Sequence, residues 1–192
     1  MRRTLYVTAL TSLLWPFAVA QAKCEVPPYE EFEPRPVLRR DSGLTAVELS
    51  LPPVATVRIP AGFFKWGIQP DGSVAFGKHP NGISGGIGYE TRETVSVHKE
   101  GLSPADFMLS IFHGLDETGC AYLEGFGLRE EDYRLHASLG SAAELFAFGK
   151  GDRHHFYLVR RDRPDFVLNA LFRGIDRSEF EAILSTLKLV SE

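Results

Sequence analysis

The second half of the chain gathers its apolar residues into four short runs: "DYRLHASLG" (132–140), "AAELFAFGK" (142–150), "HHFYLVRR" (154–161) and "DFVLNALFR" (165–173). Short apolar runs bounded by turn residues read as strands. The runs are separated by Gly140-Ser141, Lys150-Gly151-Asp152 and Arg163-Pro164-Asp165. Connections this short join antiparallel neighbours, so the four runs are expected to form a meander.

Two stretches change to a helical period. In "SPADFMLSIFHGL" (103–115), Ser103 suits an N-cap, Pro104 the first helical position, and Asp106 the positive end of the helix dipole. Phe107, Met108, Ile111, Phe112 and Leu115 make one broad apolar face. Gly114 and the following "DETGC" are expected to release the chain. A closing helix is expected over "DRSEFEAILSTLKLV" (176–190), with Asp176 and Glu179 as a D-x-x-E cap and Phe180, Ile183, Leu184 and Leu187 as its inner stripe.

The first half carries weaker patterns. Residues 25–43, with four prolines among charges, read as an extended lead-in. Beyond it a strand is expected over Thr56 to Ile59. A hairpin is expected about Pro70-Asp71-Gly72, whose return strand is Val74 to Gly77, and a further strand over Gly86 to Val97. The order strands, helix, strands, helix predicts an α+β fold in which helices pack on an antiparallel sheet, as one domain over residues 44–192.

The C-terminal run "HHFYLVRRDRPDFVLNALFRGIDRSEFEAILSTLKLV" resembles the end of the Mog1/PsbP-like α/β/α sandwiches. There a strand, a charged turn, a second strand and a terminal helix opening on S-x-F recur, and Ser178, Glu179 and Phe180 fill the last piece. The likeness is a pattern of elements running from Ser103 to the C-terminus. It implies a sandwich fold and a role among exported accessory factors or effector-neutralising proteins. The family has no shared active site, so the resemblance transfers no functional residue.

Composition restricts the setting. The 192 residues are 44% hydrophobic and 24% charged, the profile of a globular chain. "MRRTLYVTALTSLLWPFAVAQAKC" pairs Arg2 and Arg3 with an apolar run and closes on Ala20-Gln21-Ala22, so a signal peptide over residues 1–22 is expected. The apolar run is short for a bilayer span and is broken by Pro16, so no stable membrane anchor is expected after cleavage. Removal of Arg2 and Arg3 leaves 19 basic against 25 acidic groups, a formal charge of −6. That balance argues against nucleic acid as a partner. Two cysteines, Cys24 and Cys120, in a periplasmic or secreted chain predict a disulfide between them.

Candidate chemistry is sparse. Gly82 to Gly86 reads G-I-S-G-G, the spelling of a nucleophile elbow around Ser84. An elbow needs a strand entering and a helix leaving, whereas "KHPN" precedes Ser84 and a strand-like run follows. Those glycines are therefore expected to serve a bulge or a close backbone approach. His154 and His155 are adjacent on a strand and point to opposite faces, so they are not expected to share a metal. Neither a metal nor a cofactor is expected. Glu130-Glu131-Asp132 is expected to be a solvated acidic patch available to an interface. On the first hairpin Phe64 and Trp66 share one face and suit a binding surface. The expected function is an exported, non-enzymatic binding protein whose partner is another protein. A small serine hydrolase using Ser84 and a carrier with an apolar pocket between sheet and helix are the alternatives.

Overall fold

The computed structural model describes residues 24–34, 46–60, 65–70, 72–77, 85–96 and 101–190. Its centre is the meander. Tyr133–Leu139 (β7), Ala143–Lys150 (β8), Arg153–Arg160 (β9) and Val167–Arg173 (β10) pair antiparallel in succession. Tyr133 lies opposite Gly149, Phe146 opposite Tyr157, and Leu168 opposite Leu158.

Both edges are extended by the first half of the chain. Beyond β10 come Gly85–Glu90 (β6), Val74–Gly77 (β5) and Lys65–Ile68 (β4), all antiparallel. At the other edge Glu30–Glu31 (β1) pairs parallel with β7. The eight-stranded order is β1-β7-β8-β9-β10-β6-β5-β4. Part of the expected lead-in is therefore an edge strand, held by Phe32 N–H donating to the His136 carbonyl at 2.8 Å. A second sheet joins Ala46–Leu51 (β2), Ala55–Pro60 (β3) and Lys188–Leu189 (β11).

The helices lie on opposite faces. Arg92–Ser96 (α1), Pro104–Phe112 (α2) and Glu117–Gly125 (α3) belong to one side, and Arg177–Leu184 (α4) to the other. Phe112, Ile111, Leu128, Phe146 and Val159 make the core on the α2 side. Val57, Ile59, Phe156, Leu158, Phe172 and Phe180 make the other, where α4 and the small sheet cover the large one. Arg160, 5% exposed, clips these layers together. It donates to the carbonyls of Val54 and Val190 at 2.8 and 2.7 Å and forms a bidentate pair with Asp162.

Three expectations are corrected. The strand expected to run to Val97 ends at Glu90, and α1 follows. Thr91 and Thr94 hydrogen-bond reciprocally, N–H to Oγ1 and Oγ1–H to carbonyl, which is local capping chemistry that competes with a ladder. The stretch expected to release the chain is α3, opened by Asp116, whose side chain accepts from Gly119 N at 2.7 Å. The closing helix stops at Leu184, and its expected tail is β11, paired with Ala55 and Thr56 of β3.

Candidate functional site

The Cys24–Cys120 disulfide pins the lead-in to α3, with Cα atoms 5.9 Å apart. From there two arginines hold the segment that enters β7. Arg129 donates to the Glu25 carbonyl, and Arg134 donates to the carbonyls of Leu128 and Glu131, each at 2.8 Å. A short 3₁₀ turn, Leu128–Glu130, follows Gly127, whose φ of +65° favours glycine. Leu128 is fully buried and anchors the turn.

This framing turns Glu131 inward. The expected solvated patch is split: Glu130 and Asp132 are exposed, whereas the Glu131 side chain is 4% exposed. Asp132 accepts from Gly151 N at 2.8 Å and thereby caps the β8–β9 turn. Glu131 Oε1 receives Arg153 Nη2 at 3.3 Å. Its Oε2 is buried and has no hydrogen-bond partner among the described residues.

Glu131 sits in the wall of an open recess of about 470 Å³. One wall is α3, where Tyr122, Gly125 and Phe126 are spaced i, i+3 and i+4 on one face. Glycine at the middle position leaves the volume free, and a Cβ there would meet nothing within 4 Å. The floor is a run of rings on β8 and β9. Phe148 stacks on its cross-strand partner His155 at 5.4 Å and 12°, and on Tyr157 at 6.2 Å and 17°. Phe126 meets Tyr157 edge-on at 5.7 Å. Burial, then the charges of Arg153 and Arg173, push the His155 imidazole down to about 4. The ring is neutral at pH 7 and forms part of an aromatic floor.

The other imidazoles among the described residues are engaged. His154 is fully buried: Nε2–H donates to the Ile175 carbonyl at 2.9 Å, and Nδ1 accepts from the Tyr133 hydroxyl at 2.6 Å. A carbonyl only accepts, which settles the tautomer. The ring stacks on Phe180 at 5.0 Å. His113 at the end of α2 and His136 on β7 both point Nε2 at Glu144 Oε2, 2.9 and 3.1 Å away. Arg161 reaches Glu144 Oε1 at 2.5 Å. These three partners hold the Glu144 carboxyl well below the usual carboxylate range, the hydrogen bonds from His113 and His136 being the largest causes. Among the described residues no group of three or more His, Cys, Asp or Glu is arranged to hold a metal ion.

Two further openings carry less specific chemistry. A groove between β1 and α4 is polar, and its cation Arg177 is already paired with Glu30 and Glu181 at 2.7 Å while lying over the Tyr133 ring at 4.4 Å. A depression along β5 and β6 is floored by Gly86 and Gly88, with Asn169 Nδ2 donating to Glu90 Oε1 at 2.6 Å. Here the glycine-rich stretch shows its role. A Cβ at Gly85 would overlap the Leu171 carbonyl and the Phe76 ring, so glycine allows the close approach expected of it.

The candidate surface residues are not brought together. Trp66 lies on the outermost strand β4, packed on Phe76 at 5.5 Å, and is 38% exposed. It faces away from α2 and stands six strands from β7, about 29 Å at ordinary strand spacing. Phe64 and Ser84 lie outside the described residues, as does the segment 1–22. Sequence reasoning missed the recess because Tyr122, Phe148 and His155 come from three elements, one of them a helix it did not expect, and Glu131 from the turn before β7. The signal that was legible is the histidine pair, whose alternation sends His155 to this face. Comparison with protein-family models, curated proteins and solved structures found no match to this chain.

Proposed function

We propose that this chain is an exported, non-enzymatic binding protein that acts by contact with another protein, either neutralising an effector or assisting an assembly at the envelope. The aromatic recess bordered by α3 is the anchor pocket of that contact. The observation that carries this reading is an open recess floored by the rings of Phe148, His155 and Tyr157 and bordered by Tyr122 and Phe126. Binding energy at protein interfaces concentrates in pockets of this kind, where an inserted side chain excludes water. The disulfide supports an oxidising compartment, and the sequence pattern of residues 1–22 supports export to it. The likeness of the C-terminal elements to Mog1/PsbP-like sandwiches supports the same class of role.

The test is site-directed photo-crosslinking in the native envelope. A photoreactive residue at the exposed position Glu130, beside the recess, is expected to form a discrete heterologous adduct. The same probe at exposed Ser50, on the small sheet, is expected to form none. Gly125→Trp, which fills the recess, is expected to abolish the adduct. An adduct indifferent to Gly125→Trp removes the recess from the contact.

A further inference from the structure

We infer that the recess and a row of cations at its rim receive a segment of the partner protein in which an aromatic side chain is flanked by carboxylates. The ring enters the recess and the acids lie on Lys150, Arg153 and Arg173. The inference rests on the binding reading above and names the chemistry of the partner.

Lys150 ends β8, Arg153 opens β9 and Arg173 ends β10. The registers set Lys150 opposite Arg153, and Arg153 opposite Arg173. Cross-strand partners share a face, and alternation from Phe148 and His155 puts all three cations on the recess face, two residues beyond the rings. Like charges directly opposite one another destabilise a sheet, so the fold gains nothing from this row. All three residues are exposed. Arg153 lines the recess and has one long bridge, to Glu131 at 3.3 Å. Lys150 and Arg173 have no ion pair among the described residues.

The neighbouring acids leave the row open. The Glu131 side chain is 4% exposed, Asp132 is held on Gly151 N–H, and Asp152 bridges none of the three cations. The row stands out in a chain whose net charge is −4. Its field reaches the recess, since Arg153 and Arg173 both bear on the His155 ring. A cationic side chain entering there meets like charge, and a partner without acids leaves the row unpaired. The floor of Phe148, His155 and Tyr157 presents ring faces and edges, on which another ring packs well. The open volume of about 470 Å³, kept clear by Gly125, accommodates one such side chain. Alternate residues of an extended segment lie about 7 Å apart, which matches the step from the ring floor to the row.

The test uses the full, disulfide-bonded chain and four capped pentapeptides followed by amide shifts: DDFDD, NNFNN without charge, KKFKK with reversed charge, and DDADD without the ring. DDFDD is expected to bind saturably at about 0.1–1 mM and to shift Gly125, Arg153, His155 and Arg173. The other three are expected to bind at least about fivefold more weakly. Raising salt from about 50 to about 500 mM is expected to weaken DDFDD about fivefold and leave NNFNN unchanged. A paired Lys150→Gln/Arg173→Gln change is expected to weaken DDFDD at least about fivefold. Its Tm should stay level or rise, because like-charge repulsion is relieved; a structural role for the pair would lower it. Gly125→Trp is expected to abolish binding of DDFDD.

Equal affinity for NNFNN or DDADD, a preference for KKFKK, or DDFDD binding indifferent to the paired change each overturns the inference. Co-sedimentation with phosphatidylglycerol vesicles that the paired change abolishes would assign the row to a lipid headgroup and overturn it too. The envelope crosslink at Glu130 separates the two readings. An adduct blocked by Gly125→Trp but indifferent to Lys150→Gln/Arg173→Gln keeps the protein contact and removes the acidic segment. DDFDD binding with no adduct keeps the preference of the surface and removes the protein contact.

Discussion

The Tyr133 hydroxyl lies 2.6 Å from His154 Nδ1, inside a core where the histidine has no exposed surface. The pair joins β7 to β9 across β8 and, through Nε2 and the Ile175 carbonyl, to the segment that starts α4. Tyr133→Phe leaves Nδ1 without its donor and is expected to cost about 1–3 kcal/mol, read as a lowered urea midpoint at unchanged slope. No loss of stability would show that the histidine finds another partner.

Two glycines of α3 are expected to respond in opposite directions. A Cβ at Gly119 would overlap the Ser110 carbonyl of α2, so Gly119→Ala is expected to push the helices apart and cost about 1–3 kcal/mol. Gly125→Ala meets open space and is expected to gain about 0.5–1 kcal/mol from helix propensity. Thermal unfolding of the two variants checks both signs.

Reduction or a paired Cys24→Ser/Cys120→Ser change removes a link spanning 96 positions. The chain-entropy account gives about 4.7 kcal/mol for a loop near that length, and a measured loss of about 2–5 kcal/mol is expected. The intact mass of the unreduced protein should be two hydrogens below that of the dithiol. Two free thiols would contradict the bond.

Stability is expected to fall with acid in two stages. His155 is depressed from 6.5 to about 4, so the unfolded chain binds its proton first. Its contribution is complete above 6.5 and is lost as pH falls to about 4. Glu144 is held low by His113, His136 and Arg161, so its contribution is present above the ordinary glutamate range, near about 4.3, and drains below it. Urea midpoints against pH are expected to lose the upper stage in His155→Phe and the lower stage in Glu144→Gln. An unchanged pH profile in either variant would clear that residue of the effect.

Arg160→Met tests the clip between the layers. The Val190 carbonyl loses its Arg160 donor and the Val54 carbonyl keeps only the Val190 N–H at 3.2 Å, with an expected cost of about 1–3 kcal/mol, and amide exchange should quicken in β2, β3 and β11 before the meander. Exchange that rises evenly across both sheets would mean the small sheet does not open separately.

The meander, the capped start of α2, the Asp176 cap of α4 and the Cys24–Cys120 pair were all legible in the chain itself. Each depends on neighbours in sequence, on short apolar runs bounded by turn residues, or on a count of two thiols. Local chemistry misled where tertiary contact outweighed it. Gly119 and Gly125 argue against a helix by propensity, yet α3 exists because glycine lets it lie against α2 and the disulfide ties it down. Leu187 continues the helical stripe, yet the helix ends at Leu184 and Lys188–Leu189 pairs beside β3, because an edge strand there had backbone groups to pair. The recess belongs wholly to this second class. Burial of Glu131, stacking of Phe148 on His155 and the gap over Gly125 depend on which elements meet, and period and composition carry no information about that.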